Sequence, residues 1–422
     1  MNVVIFACVD FPEGPATTSR VRLLSRILHE AGHSVSLAIF NANAKKAIVE
    51  NKVSEGCFES VSYRYLSGRT VRPEGVWGKI TDTVKGIANS VPYLRERKRH
   101  GLADVVIFYT PDIFHCLPAF ALAKLYRIPT ILELCEIFSS DRRTQGIVSR
   151  IKRLGACICD RKLPVWSSGI LAISTKIIGY LEGIGISDRK IMHLPVLVDH
   201  ELLCRQPWTP VAGLEDKRFF LNSGALDEKE GLGFILEAFA LLTGKYQDIY
   251  LVLTGTPEKR REKQVLELAK RLGIGERLVF TGFLSSNQLI WAYHQAAALL
   301  CCRAGMEFAN YGFPTKLAEY LSSGSPVIAN DVGDIPLYLD NGESAFMATT
   351  EDAGSIAEQM ARVLDNPLLA SEVGLNGRNV AARHFDFRNY VIPVDEFLKS
   401  VCAKRSQNGT RSLPDLGNQS KN

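Results

Sequence analysis

The order of residues 299–331 most constrains the fold: an apolar run, a glycine-bearing loop, a helical stretch, a glycine, and a second apolar run. Residues 296–302 are apolar with no polar alternation, the pattern of a short strand buried on both faces. Gly305, Asn310 and Gly312 mark a loop. Pro314 opens a helix whose apolar face carries Leu317, Ala318, Tyr320 and Leu321, Gly324 stops it, and 326–329 is the next strand. Strand, helix and strand in that order make a βαβ unit, which demands a parallel sheet covered by helices.

The start of that helix carries chemistry. Pro314 lacks an amide hydrogen, so the amides of Thr315, Lys316 and Leu317 are expected to point out of the positive end of the helix. Such an end binds anions. Lys316 adds a full charge, and Arg303 at the preceding strand end adds another. Glu319, one turn on, lies on nearly the same face as Lys316, where a carboxylate can accept hydrogen bonds from the two hydroxyls of a ribose. A diphosphate beside a sugar diol describes a nucleotide-sugar. The same residues also read as a helix cap with an i,i+3 Lys–Glu pair, and on the local pattern alone that is the commoner arrangement.

At 422 residues, two domains are expected. The 46% hydrophobic content and mean hydropathy of +0.02 describe a globular chain. The net charge of +5 is compatible with an anionic substrate or an acidic membrane surface. The ten cysteines are scattered without a Cys-x-x-Cys pair, which argues against a disulfide framework or zinc site and fits a reducing cytoplasm. No run of about 18 apolar residues predicts a membrane span. Residues 3–9 lack the basic flank of a signal peptide.

Residues 2–9 read as a buried strand, 20–31 as a helix ended by Gly32, and 34–40 as a second strand. That is the opening of a doubly wound sheet. The loop between carries Gly14 but no Gly-x-Gly-x-x-Gly, so a dinucleotide oxidoreductase loses its main cue. Residues 77–99 mix apolar positions with the basic end Arg95, Arg97, Lys98 and Arg99. They read either as a solvated helix pair or as an interfacial helix that reaches acidic lipid. Glu133 and Glu136 lie at the C-terminal end of a strand at 130–134, the edge where such sheets bind ligands. They are candidates for holding acceptor hydroxyls or assisting proton removal, or are solvated loop residues. A polar stretch at 202–217 reads as the linker, strand–helix alternation resumes at 219, and residues 404–422 read as a disordered tail.

The segment containing Gly312, Phe313 and Glu319, followed by Gly324-Ser325-Pro326-Val327-Ile328-Ala329, resembles the donor-binding signature of glycosyltransferase family 4, in a Pro-Thr-Lys-x-x-Glu-Tyr variant at 314–320. Ala31-Gly32-His33, Pro195 with Asp199, and Gly333-Asp334-Ile335-Pro336 resemble other segments of that family. The resemblance implies a GT-B fold: an acceptor domain at 1–201, joined by a C-terminal helix at 386–403, and a donor domain at 218–385, both Rossmann-like and facing a cleft. It implies a retaining transferase (a hexosyltransferase) moving sugar from a nucleotide-diphosphate sugar to a saccharide or lipid-linked acceptor. Surface polysaccharide or glycolipid assembly, without metal or cofactor and with no nucleic-acid partner, is the implied setting. The location would be cytoplasmic, with peripheral contact at the inner membrane face.

By the same resemblance, Gly14 faces the donor phosphates, and Lys229, Arg303, Thr315, Lys316, Leu317 and Glu319 bind the donor. Glu133 and Glu136 fit the acidic positions of the family's Asp-x-His-Glu, with Cys135 in place of the histidine. The first glutamate of the signature is Tyr311 here, and Glu307 is the carboxylate available to stand in for it. Ala225 and Glu230 occupy the family's phosphate-binding Arg and Lys positions, with Lys229 one residue early. These departures leave a second reading open: a non-catalytic member that binds a nucleotide-sugar or a partner enzyme.

Overall fold

The computed structural model describes residues 1–44, 53–109, 112–140, 147–205, 208–224, 226, 228–255 and 259–409. Its strands form two sheets. The first contains β1 (Asn2–Ala7), β2 (Ser34–Ile39), β3 (Glu55–Phe58), β4 (Val61–Tyr65), β5 (Val105–Tyr109), β6 (Thr130–Leu134), β7 (Gly169–Ala172) and β8 (Ile191–His193), in the order β3-β4-β2-β1-β5-β6-β7-β8. All neighbours are parallel except the β3–β4 hairpin at one edge. That hairpin falls in the segment least legible from sequence. Its turn uses Glu59 and Ser60 at positive φ, without the glycine that usually signals such a turn.

The second sheet contains β9 (Arg218–Ser223), β10 (Ile249–Thr254), β11 (Leu278–Gly282), β12 (Ala298–Cys301), β13 (Val327–Asn330) and β14 (Phe346–Ala348), in the order β11-β10-β9-β12-β13-β14 and parallel throughout. Both sheets reverse their winding beside their first strand, between β1 and β5 and between β9 and β12. Loops diverge there and leave a crevice at the carboxyl ends of the strands.

Helix bounds depart from the apolar spacing in instructive places. The first helix is Ala16–Glu30, four residues earlier than Arg20, because Pro15 serves as its cap with an extended backbone. Residues 77–99 form one helix, Val76–Arg99, and not a pair. Its interior Pro92 does not divide it. The last helix runs Val391–Gly409, six residues into the segment read as a tail; residues 410–422 lie outside the described residues. This helix buries Val394, Leu398 and Val401 in the first domain's core. Gly169 on β7 lets it come close, since a Cβ there would lie 2.8 Å from Val401.

The chain crosses between the domains twice, side by side. Val198 donates its amide to the Phe385 carbonyl at 2.8 Å, and Phe387 donates to Val198 at 3.1 Å. Asp199 is bonded there by Arg26 and by Arg388, the latter at 3.1 Å. Across the cleft, Asp334 of the second domain accepts from the Thr175 amide and, at 2.8 Å, from the Thr175 hydroxyl. It thereby adds an acceptor at the start of the helix Thr175–Gly183 of the first domain, whose cap is Ser174, with its hydroxyl accepting from the Ile177 amide at 3.2 Å. The Ser174 hydroxyl donates to the Tyr311 carbonyl beside it.

Asp334 is 1% exposed, while its partner Thr175 is exposed, so removing the carboxylate turns the Thr175 amide and hydroxyl to water. Asp334→Ala is expected to cost about 0.5–2 kcal/mol, the range for losing a helix-end acceptor. It should lower the denaturation midpoint and raise the radius of gyration in solution scattering. Unchanged values for both would show that this contact does not hold the domains together.

Candidate functional site

At the carboxyl edge of the second sheet, three neighbouring strands run into glycines at positive φ: Gly224 after β9, Gly255 after β10, and Gly282 closing β11. Gly224 donates its amide to Thr254 at 3.2 Å, and Gly255 to Gly282 at 2.8 Å. A Cβ on Gly255 would meet the Gly224 carbonyl at 2.5 Å. The rim is thus bare backbone, with the side chain of Phe283 82% exposed beside it.

On the other side of β9, the helix Thr315–Ser323 points its N-terminus at the same edge. Pro314 is the cap, and the Leu317 amide donates to its carbonyl at 3.0 Å. The expectation for Leu317 is therefore corrected: its amide is used inside the first turn. Thr315 and Lys316 remain the first-turn donors without an intrahelical acceptor.

Lys316 turns inward. Its ammonium lies 2.7 Å from Glu230 and 3.5 Å from the amide oxygen of Asn222 at the end of β9. Both partners of the ion pair are about nine-tenths buried. Burial pulls the Lys316 pKa down, but Glu230 outweighs it and the net shift is upward. Burial opposes ionisation of Glu230 too, yet Lys316, with Arg303 and Lys229 further off, holds its carboxyl below the usual value. Gly231 makes this approach possible: its φ is +63°, and a Cβ would lie 2.0 Å from the Cys302 carbonyl. The pairing of Lys316 with Glu230 carried no signal in the sequence, because the partners are 86 residues apart.

Glu319 sits one turn along. Burial pushes its carboxyl upward, partly offset by the Tyr293 hydroxyl, which donates to it at 3.0 Å. Glu319 lines a cavity of about 120 Å3 between the domains, faced by Ser19, Arg22 and Arg26 of the first helix and by Asp199. That volume suits one furanose ring.

The other expected residues divide. Gly14 lies on the loop after β1, at the first sheet's switch point. A Cβ there would meet the Thr18 hydroxyl at 2.3 Å and the Asp10 carbonyl at 2.9 Å. Glu136 and Lys229 meet across the cleft at 3.6 Å. Glu307 begins the short helix Glu307–Tyr311 and is exposed. Ala225 lies outside the described residues.

Two further expectations are corrected. Arg303 is 5% exposed, and its guanidinium donates to the Ala309 and Gly312 carbonyls at 2.9 and 3.1 Å. It shapes the loop before the helix and is not presented to a ligand. Glu133 is fully buried, held by the Arg20 guanidinium at 2.7 Å. Burial pushes its carboxyl upward, against the pull of Arg20. Arg20 also donates to the Leu194 and Pro195 carbonyls, so Glu133 anchors a strap across the first domain and offers no surface to a substrate.

Residues 206–380 match the family described as "Glycosyl transferases group 1". Among curated relatives, the chain is 27% identical over 206 residues to the alpha-1,3/1,6-mannosyltransferase ALG2 of Dictyostelium discoideum, covering 44% of this chain and 47% of that one. It is 26% identical over 250 residues to the MMP alpha-(1->4)-mannosyltransferase of Mycolicibacterium hassiacum, covering 59% and 56%. The chain thus spans about half the length of these relatives. Solved structures match far more of it. Sucrose-phosphate synthase from Thermosynechococcus elongatus superposes with a TM-score of 0.74 at 15% identity, covering 95% of this chain and 99% of that one. Anabaena HepE in complex with UDP and glucose gives 0.72 at 14%, covering 95% and 100%. The fold is GT-B.

The enclosed Lys316–Glu230 pair has an electrostatic consequence. Lys316→Met alone leaves a buried carboxylate unpaired and is expected to cost about 3–5 kcal/mol. Adding Glu230→Gln should recover most of that loss in urea denaturation. An additive double variant would show that the pair is not coupled.

Proposed function

We propose that this chain is a retaining glycosyltransferase using a nucleotide-diphosphate sugar as donor, a reading supported by the match of residues 206–380 to the group 1 glycosyltransferases. The observation that carries the reading is Lys316 and Glu319 one turn apart on the helix at the second switch point, with Glu319 opening on a furanose-sized cavity. Glu319 accepts hydrogen bonds from the ribose hydroxyls. The diphosphate lies at the amides of Thr315 and Lys316, near the charge of Lys229. The base runs along the glycine rim beside Phe283. HepE, a structural neighbour, binds UDP and glucose, and the curated relatives include mannosyltransferases, which supports this donor class.

The acceptor, a saccharide or lipid-linked saccharide, enters from the first domain beside Glu136. In the transfer, the bond between the anomeric carbon and the diphosphate oxygen breaks, with its electron pair going to the phosphate. The acceptor oxygen forms its bond to the same carbon on the same face, and its proton passes to the departing phosphate. The protein's contribution is to stabilise the leaving diphosphate with fixed positive groups and helix-end amides, and to hold the acceptor hydroxyl close.

A membrane contact accompanies this reading. The first turns of the helix Val76–Arg99 expose Val76, Trp77, Ile80 and Val84, with Lys79 among them and Lys85 just after. An aromatic and aliphatic face flanked by lysines suits the headgroup level of an anionic bilayer. It would bring the acceptor domain to a lipid-linked substrate on the cytoplasmic leaflet.

Calorimetry against UDP-, GDP- and ADP-sugars is the test. One of them should bind, and Glu319→Ala should weaken it by about 10- to 100-fold, the loss of charged hydrogen bonds worth roughly 1.5–3 kcal/mol. Equal binding by the variant would remove Glu319 from the donor site. Separately, Trp77→Glu is expected to reduce sedimentation with vesicles containing anionic lipid. Vesicle binding that the substitution leaves unchanged would exclude this helix as the contact.

A further inference from the structure

We propose that Glu136 is parked on Lys229 in the empty protein, and that the donor diphosphate releases it to the acceptor. The inference rests on the donor reading above and deepens it.

Glu136 follows β6 at the carboxyl edge of the first sheet, and its stem lies against Gly312 of the second domain, where a Cβ would come within 3.7 Å. Lys229 reaches it from the 3-10 turn Glu228–Glu230. The Lys229 ammonium is 3.6 Å from the carboxylate and 5.7 Å from the centroid of the Phe308 ring. The Lys229 backbone is fixed by the Ala304 amide, which donates to its carbonyl at 3.0 Å, so the side chain alone is free to change partner.

Two lysines therefore stand at the donor edge, each with a carboxylate, and the pairs differ in kind. Lys316 and Glu230 are enclosed, at 11% and 12% exposure, and so close a structural contact. Lys229 and Glu136 are 24% and 29% exposed and slightly too far apart for a direct hydrogen bond. A pair open to water is weak and exchangeable. A diphosphate carries more charge than one carboxylate and offers oxygens that Lys229 can bond directly. Its arrival takes Lys229 and leaves Glu136 without a counter-ion, at the mouth where the acceptor enters. There the carboxylate accepts the hydrogen bond of the acceptor hydroxyl and orients it. Donor binding thus precedes productive acceptor binding.

The test compares wild type with Glu136→Gln, titrating UDP, GDP and ADP, then the corresponding nucleoside alone. The nucleoside diphosphate that binds wild type should bind Glu136→Gln about two- to fivefold more tightly, because its competitor is gone. The nucleoside, lacking phosphates, should bind both equally. Transfer to acceptor should fall in the variant by about 10²-fold. A residue that merely supports the fold would not tighten one ligand while slowing turnover. In a Lys229→Met background, nucleoside diphosphate binding should weaken, and Glu136→Gln should no longer change it. Equal or weaker nucleoside diphosphate binding by Glu136→Gln overturns the release mechanism alone. Absence of binding to either protein overturns the donor site as well.

Discussion

The placement of one domain against the other depends on a carboxylate that belongs to one and completes a helix of the other. Asp334 follows β13 in the second sheet, yet it supplies an acceptor to the first amide of Thr175–Gly183, beside the Ser174 cap. A helix end is satisfied only by a group in the right place, so this contact has a defined geometry where apolar packing would slide. Because it joins the carboxyl edges of both sheets, it also sets the two switch points facing each other. The cavity at Glu319 and the meeting of Glu136 with Lys229 follow from that facing arrangement.

The charge pattern at the carboxyl edge of the second sheet looks depleted in sequence, with an acid at 230 where the resembling family has a lysine. The structure gives that acid a role. Glu230 neutralises Lys316, which approaches the same edge from the helix rather than from the strand-end loop. An enclosed pair costs desolvation, and only good geometry repays it. Gly231, pressed against the Cys302 carbonyl, provides the close approach.

What the sequence made legible was local. The strand–helix alternation and the glycine stop at Gly324 are written in contiguous residues, and so is the Lys316–Glu319 spacing on one helix face. Long-range pairing was not. Glu133 stands at a strand's carboxyl end like any catalytic acid, and nothing near it in the chain announces Arg20, 113 residues away. Arg303 sits in a loop where an exposed cation is ordinary, but two carbonyls of the same loop turn it inward. The β3–β4 hairpin was missed because its turn uses Glu59 and Ser60 where glycine or asparagine is usual.

The paired crossings between the domains bear on how the cleft can move. Val198 and the Phe385–Phe387 segment are bonded to each other, and Asp199 is tied to Arg26 and Arg388 at the same place. A single crossing would let one domain swing and twist in any direction. Two chains laid side by side make a two-ply hinge, which bends across its width and resists torsion. Bending about such a spine would bring Glu136, Lys229 and Glu319 back to the same register at each closure.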